Sequence, residues 1–462
     1  MNIKFLLLPL LLSATSAFAV DFKVDGVNYN VVSEPARTVT VVSGPEKYVG
    51  DIIIPPTIMV SGIEYSVVSI SAYAFDNCND LKSITLSDGL ASIENYSFRA
   101  CTSLSSISIP QSVQGIGMSS FYDCTGLTAV EFEEGIGTID DSAFYGCTKL
   151  KSLTLPNSLT KLGKSAFSNC KTLENVIIGN KLKTVSWSSF SGCSELETVI
   201  FGESVETIDQ YAFDNDYDLD GIIFPAKLKT IDNYAFRGCA SLSSILVPAS
   251  VQIIGMSSFY DCIGLTAVEF EEGIETIDDS AFYGCTKLKS LTLPNSLTKL
   301  GKSPFYNCKT LENVKIGNKL KTVSWSSFSG CSELETVVLG EKVEYLDQYC
   351  FSGCRELQLI QCLNSKPAEW ASLTNTFEES IYSTCELYVP EGSLDTYKNA
   401  EGWSNFFNIF EGEPGSGIET LISEDGSYII YDMNGLKVNP DNLKSGIYIL
   451  RQGKNSKKVI IK

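Results

Sequence analysis

The chain has 462 residues, with 35 Lys and Arg, 55 Asp and Glu and no histidine, which gives a formal net charge of −20 at pH 7. The lack of histidine excludes catalytic triads, zinc sites and pH switches that depend on an imidazole ring. The acidic excess argues against nucleic acid and anionic membranes as partners, because Lys and Arg drive binding to both. The length exceeds what one compact core usually supports, so we expect several domains or a repeat array.

The N-terminal segment has the pattern of an export signal. Lys4 precedes an apolar run from Phe5 to Leu12, and Ala17-Phe18-Ala19 forms a small-residue cleavage site. The pattern predicts a signal peptide over residues 1–19, cleaved after Ala19, and a mature protein that is secreted or held at the cell surface. A membrane anchor is the alternative, but the apolar run is far shorter than the ~20 residues of a spanning helix.

A phenylalanine recurs with a constant period of 23 from Phe75 to Phe351, which makes thirteen repeats without an insertion. The common form of the repeat is I-x-x-x-[AS]-F-x-x-C-x-x-L-x-x-[IVL]-x-[LIF]-[PG]. This period with L-x-x-L-x-L spacing is the leucine-rich-repeat signature, in which stacked repeats complete one another's core. Alternation in the L-x-x-I-x-L segment predicts a short parallel strand per repeat, and the remainder turns back with Phe inside. The fold class is therefore α/β, mainly β: a leucine-rich-repeat solenoid with a parallel β-sheet.

Six consecutive repeats have been copied as a block. Residues 112–213 realign onto 250–351, a shift of six repeat periods, and 90 of the 102 positions are identical. A one-dimensional fold tolerates such copying because each repeat contacts only its neighbours. The duplication favours a binding or spacing function over an active site in a unique pocket.

The middle outward position of the predicted strands is aliphatic in four consecutive repeats. These residues, which we call the apolar stripe, are Ile177, Ile200, Ile223 and Leu246. A solvated sheet face normally carries polar residues, so an apolar patch there indicates recognition. We predict that the stripe binds a partner, with acidic pairs at its flanks: Glu131 with Glu133, and Glu269 with Glu271. The alternative is simply the high β-propensity of Ile.

Twelve of the fifteen cysteines occupy one position in successive repeats, three residues after the repeated Phe. Parallel side chains in neighbouring repeats would place their β-carbons ~4.8 Å apart, farther than the ~3.8 Å of a disulfide, so we expect buried thiols. Disulfides remain open, because exported proteins meet oxidising conditions. Cys362 and Cys385 lie outside this series and are the disulfide candidate; Cys350 is left over.

Asp216, Asp218 and Asp220 have the spacing that begins a calcium loop. The twelfth position is Lys227 instead of a bidentate Glu, so a solvated acidic turn is the favoured interpretation and calcium a weak alternative. Glu131 and Glu133 are expected on an open face, where a catalytic pair would lack the unlike environments it needs. The sequence predicts no catalytic site, no enzyme activity and no cofactor.

The A-F-x-x-C repeats and both flanking regions resemble the BspA-like leucine-rich-repeat proteins, which are secreted or surface proteins. The segments that carry this resemblance outside the repeats are Phe22–Tyr29, Tyr48–Pro55, Ile63–Ile70, Leu387–Gly392, Tyr397–Ala400 and Trp403–Phe406. The resemblance implies an N-terminal cap over 20–70, a solenoid over 71–361 and a C-terminal cap over 362–410. It also implies an adhesin that binds host matrix or plasma proteins, or other bacteria.

After the caps, residues 411–417 form a Gly- and Pro-containing linker, and residues 418–462 read as a small β-domain. The segments Tyr428–Gly435, Gly446–Leu450 and Lys457–Lys462 resemble the C-terminal sorting domains of exported Bacteroidetes proteins. That resemblance implies contact with secretion machinery; the alternative is a β-module without a sorting role.

Together these features predict an exported, non-enzymatic binding protein that recognises extracellular or bacterial surface proteins through its solenoid. Two other functions stay open. A glycan-binding accessory protein would require exposed aromatic platforms, which the outward strand positions lack. A structural spacer would suit the duplication but would not need the apolar stripe.

Overall fold

The computed structural model describes residues 21–414 and four strands of the C-terminal segment. The predicted signal peptide and residues 415–417 of the predicted linker lie outside the described residues. The chain forms two compact units, the first ending at Leu182 and the second beginning at Lys183. The only α-helix in the described residues is Leu394–Lys398, and no helix there is long and apolar enough to cross a membrane.

Each unit is a stack of coils whose main strands lie parallel to one another, one strand per repeat. In the repeats, hydrogen-bonded pairs keep the register of the sequence period, as in Ser108 with Glu131 and Ile200 with Ile223. The first unit contains the main strands Gly50–Ile54, Leu81–Leu86, Ser106–Ile109, Ala129–Phe132, Ser152–Thr154 and Asn175–Ile177. The second contains Thr198–Ile200, Gly221–Ile223, Ser244–Val247, Ala267–Phe270, Ser290–Thr292, Asn313–Lys315, Thr336–Leu339, Leu359–Cys362, Glu386–Val389 and Asn408–Glu411. The mainly β, leucine-rich-repeat prediction is confirmed.

Parallel stacking continues beyond the thirteen repeats that the sequence shows. Gly50–Ile54 pairs with Leu81–Leu86 ahead of the array. After it, Glu386 pairs with Leu359 and Asn408 pairs with Glu386, so neither spacing matches the repeat period. These outer coils escape a fixed-period search because their connections have different lengths.

A second row of parallel strands, each two residues long, accompanies the main row and was not predicted. In the first unit these strands are Ser92–Ile93, Gly115–Ile116, Thr138–Ile139 and Lys161–Leu162. In the second they are Thr184–Val185, Thr207–Ile208, Thr230–Ile231, Ile253–Ile254, Thr276–Ile277, Lys299–Leu300, Thr322–Val323, Tyr345–Leu346 and Glu369–Trp370. Each repeat therefore contributes two strands, and a dipeptide strand is too short to give a readable alternation.

The ends of the array depart from this pattern. The first unit begins with Phe22–Val24, Val27–Ser33, Thr38–Val42, Thr57–Val60 and Ile63–Ile70, joined through several antiparallel pairs. The second unit ends with the 3-10 turns Glu379–Ser383 and Trp403–Asn405 around its short helix. Beyond them, Ile429–Asp432, Lys437–Val438, Gly446–Gln452 and Asn455–Ile461 form an antiparallel four-stranded sheet, which confirms β structure in the tail.

The core of each coil is built around its repeated phenylalanine. All thirteen side chains are fully buried. Within each unit, consecutive rings stack nearly parallel, as Phe98 does on Phe121 at 4.9 Å and Phe236 on Phe259 at 5.3 Å between ring centroids. A backbone hydrogen bond also joins neighbouring coils at this position: the N–H of Phe121 donates to the carbonyl of Ala143 in the next coil at 2.7 Å. The stacked phenylalanine rings and this backbone bond thus set the distance between successive coils.

Candidate binding surface

The structure places every residue of the apolar stripe with its side chain outward on a main strand. In the first unit, Ile177 is 43% exposed. In the second, Ile200, Ile223 and Leu246 are 60%, 86% and 52% exposed, in three successive coils. Between them along the chain, Val199 and Ile245 are buried in the core. The period-2 alternation therefore holds, and the aliphatic residues are on the solvent side of the sheet.

Ile223 is the most exposed of these residues for a local reason. It pairs side by side with Ile200, and Gly221, at the start of the same strand, pairs with Thr198. Because Gly221 has no side chain, the flank of Ile223 on that side is left uncovered. Full burial of an Ile by a partner stabilises a complex by roughly 1.5–3 kcal/mol, so this position has the most to gain from binding.

One member of each acidic pair has a structural role. Glu131 and Glu269 are exposed on the strand face. The carboxylate of Glu133 instead accepts the N–H of Gln111 at 3.0 Å, and that of Glu271 accepts the N–H of Ala249 at 2.8 Å, both from the preceding coil.

The two acidic pairs are also placed differently relative to the stripe. Glu269 pairs directly with Leu246, whereas the coil of Thr154 separates Glu131 from Ile177. The duplicated block does not repeat the stripe, because Lys315 stands outward between Thr292 and Val338.

The three calcium-candidate aspartates do not converge. Asp216 is fully buried, while Asp218 and Asp220 are exposed, because Leu219 between them must enter the core. Asp216 occupies the cysteine position of its coil; its Oδ1 accepts the N–H of Cys193 at 2.8 Å, and its Oδ2 is buried without a hydrogen-bond partner. The described residues contain no cluster of three side chains suited to a metal. The structure therefore contradicts the calcium alternative, because the carboxylate of Asp216 faces inward and those of Asp218 and Asp220 face outward.

All fifteen cysteines are buried thiols. In the repeats, Sγ donates to the carbonyl of the Phe 26 residues earlier, as Cys124 does to Phe98 at 3.1 Å. Cys362 and Cys385 are likewise thiols in this structure, so their candidate disulfide is not formed here. Burial raises the pKa of both Cys362 and Cys385 to about 12, which suppresses the reactive thiolate.

We expect the folded protein to resist a thiol reagent at pH 8, because all fifteen thiols are buried. Ellman titration should detect almost no reactive thiol in native buffer and all fifteen in denaturant without reductant. A count of thirteen in denaturant would instead support the Cys362–Cys385 disulfide. Rapid native labelling would contradict the burial of the series.

A depression of about 370 Å³ lies along the two-residue strands of the first unit, lined by Glu94, Gly115, Asp140 and Lys161. Its charged groups are already engaged: Glu94 accepts the N–H of Ala72, and Lys161 binds Asp140 at 2.9 Å. It is shallow, and Ile253 replaces Gly115 in the copied block. The depression does not resemble an active site with convergent catalytic groups.

The turns that carry the repeated Phe have aromatic clusters away from the main strands. Tyr73 and Tyr96 stack at 5.0 Å, and Arg99 lies over both rings while it binds Asp76 at 2.7 Å. The second unit repeats this arrangement six periods later with Tyr211, Tyr234, Arg237 and Asp214. Comparing the residues two before each Phe would have revealed these tyrosines.

The comparison with protein families identifies this architecture. The model of the BspA type leucine-rich repeat region matches residues 60–173, 114–243 and 229–358, which together exceed half of the chain. The chain therefore belongs to the BspA-type leucine-rich-repeat family. No curated protein matches it.

Several solved structures are similar. A leucine-rich repeat protein from Bacteroides ovatus has 26% identity and a TM-score of 0.66, over 85% of this chain and 100% of that chain. A leucine-rich cell surface protein from Faecalibacterium prausnitzii has 20% identity and a TM-score of 0.42, over 88% of this chain and 98% of that chain. A pneumococcal vaccine antigen has 19% identity and a TM-score of 0.41, over 85% and 98%.

Proposed function

We propose that the chain is an exported, non-enzymatic binding protein, a cell-surface adhesin that recognises extracellular proteins of a host or of other cells. The observation that carries this proposal is the exposure of Ile223, 86%, in the coil between those of Ile200 and Leu246. Soluble proteins rarely leave a contiguous apolar patch uncovered unless it binds something. Membership of the BspA-type family supports a surface location and a protein ligand.

The arrangement has the layout of a protein-binding surface. Exposed aliphatic side chains from three successive coils form its centre, and Glu269 adds an acidic rim beside Leu246. Such a centre loses water on contact, while a charged rim selects partners of complementary charge and speeds their encounter. The acidic rim and the net charge of −20 favour a partner with a basic surface.

We expect Ile223→Lys to abolish binding to a protein ligand found on a panel of immobilised extracellular-matrix and plasma proteins. The substitution places a hydrated charge at the centre of the surface, and the dissociation constant should rise at least ~30-fold, equivalent to about 2 kcal/mol. Biolayer interferometry with the full chain measures this.

Thr292→Lys is the matched control, because it makes the same change at an outward strand position three coils further on. It should bind as the parent does. Equal weakening by both substitutions would indicate a general charge effect, and unchanged binding by Ile223→Lys would place the ligand on another surface.

A further inference from the structure

Two tryptophans occupy an exposed position that other coils give to different residues. Trp187 and Trp325 each lie three residues before the buried Phe of their coil and are 39% and 40% exposed. In the other repeats of the second unit this position holds Gln210, Asn233, Met256, Asp279, Lys302 and Gln348. Trp370 and Trp403, in contrast, pack against each other in the C-terminal coils.

Each exposed indole meets a tyrosine of the next coil in the same geometry. Trp187 lies 6.0 Å from Tyr211 and Trp325 lies 6.0 Å from Tyr349, with both ring pairs inclined at 75°. The two Trp–Tyr pairs therefore share one geometry and are separated by six coils, or roughly 30 Å at ~4.8 Å per coil. Tyr211 is in addition stacked on Tyr234 beneath Arg237.

The tyrosines hold a backbone conformation that is unfavourable for them. Tyr211 and Tyr349 have φ of 58° and 62°, in the left-handed region, where most other coils place Ser. A bulky residue is unfavourable there, but a positive φ recurs at this position in all thirteen coils, so the conformation belongs to the turn of the repeat. Packing does not require the ring, because the Ser-containing coils stack in the same way. The tyrosines therefore add aromatic surface to a turn that Ser also forms.

Polar side chains surround the second site along the coil axis. The N–H of Ser303, next to Lys302, donates to the carbonyl of Trp325 at 2.8 Å, and the N–H of Ser326 donates to that of Gln348 at 3.0 Å. Lys302 and Gln348 therefore occupy the equivalent positions of the coils before and after the indole. Gln210 is placed beside Trp187 in the same way.

An exposed Trp–Tyr pair with polar neighbours suits a sugar better than a protein. Burying one indole and one phenol covers roughly 150–250 Å² per ring, well below the ~800 Å² that each partner contributes to a stable protein interface. The rings of each pair are inclined at 75°, so the exposed indole is the surface on which the C–H face of a pyranose can pack, while neighbouring amide and ammonium groups bind its hydroxyls. The net charge of −20 disfavours acidic polymers and selects neutral ones.

We propose that Trp187 with Tyr211, and Trp325 with Tyr349, form two related sites for a neutral polysaccharide. A single polymer that reaches both sites gains affinity from their linkage, without any new contact. The sites are on the Phe-containing turns and do not use the apolar stripe, so this proposal stands or falls independently of the protein-binding function.

The test is a fluorescence titration of the full chain with cello-, xylo-, manno- and chito-hexaose and with the corresponding polysaccharides. Binding should shift or quench the emission of Trp187 and Trp325 above the constant background of the two other tryptophans. Trp187→Ala or Trp325→Ala alone should weaken polysaccharide binding at least ~10-fold by removing the linkage, and the double variant should lose it. Circular dichroism checks that the variants fold.

Met256→Ala is the matched control, because Met256 is an exposed apolar residue at the same position of another coil. It should bind each sugar like the parent, and the Ile223→Lys variant should do so as well. Absence of binding to all of these glycans, or full retention by the double tryptophan variant, would overturn the proposal. Loss of a protein ligand in the double variant, with no glycan bound, would also overturn it and assign the tryptophans to a protein interface.

Discussion

Replacing Phe236 by Ala should lower the free energy of unfolding by about 3–5 kcal/mol. The ring is fully buried and is stacked on Phe213 at 5.2 Å and on Phe259 at 5.3 Å. Its removal opens a cavity in the middle of the stack and ends two aromatic contacts. Neighbouring coils cannot close the gap, because their spacing is set by backbone hydrogen bonds from coil to coil.

Urea denaturation followed by circular dichroism measures this effect through the midpoint at constant m-value. Phe407→Ala is the control, since Phe407 is 78% exposed and its loss should change stability by less than ~0.5 kcal/mol. A loss below ~1 kcal/mol for Phe236→Ala would mean that the stack does not hold the array together. A fall in the m-value would instead indicate that the array separates into independently unfolding parts.

Asp216→Cys should stabilise the protein at pH 7 by about 1–3 kcal/mol. Asp216 is fully buried, its Oδ2 lacks a hydrogen-bond partner, and burial raises its pKa well above the ordinary value. Cysteine fills the same position in twelve other coils and donates its S–H to a backbone carbonyl. The substitution replaces a costly buried carboxyl with the residue that the repeat accommodates.

The stabilisation by Asp216→Cys should depend on pH, and the raised pKa of Asp216 decides in which direction. In the unfolded chain Asp216 titrates near its ordinary pKa of about 3.9, and in the folded protein it titrates at a higher pH. Its contribution to stability is therefore fully present below about pH 4 and is lost as the pH rises toward the folded-state pKa. The advantage of Asp216→Cys should be small at pH 3.5 and largest at neutral pH.

Urea midpoints of the parent and the variant at both pH values test this directly. Asp218→Asn, a change at a neighbouring exposed carboxylate, should leave the pH dependence intact. The urea midpoints of the parent and of Asp216→Cys could instead differ by the same amount at both pH values. That result would contradict the raised pKa that burial gives to the carboxyl of Asp216.

The sequence predicts the repeat well because its period is unbroken. From Phe75 to Phe351, every 23rd residue is a buried Phe, and the L-x-x-I-x-L alternation places Ile223 outward and Ile245 inward. The calcium candidate illustrates the same rule: Leu219 is committed to the core, so Asp218 and Asp220 must point away from Asp216.

Other features of the fold cannot be predicted from the 23-residue period, for physical reasons. The two-residue strands carry too little alternation to be recognised, and Glu386–Val389 pairs with Leu359–Cys362 outside the repeat period because the preceding loop is longer. The exposed tryptophans cannot be recognised from the outward strand positions, because they are not on strands. Trp187 and Trp325 are on turns, where a position-by-position comparison of all thirteen repeats finds them.

The most direct test of the protein-binding function compares residues 20–462, the predicted mature chain, with a variant in which Ile177, Ile200, Ile223 and Leu246 are all Thr. Both are screened by biolayer interferometry against the same matrix and plasma proteins, after circular dichroism has shown equal folding. We expect the parent to bind at least one of these proteins and the variant to lose that binding. Equal binding by both proteins would contradict the assignment of the stripe, and absence of any protein ligand for the parent would contradict the proposed function.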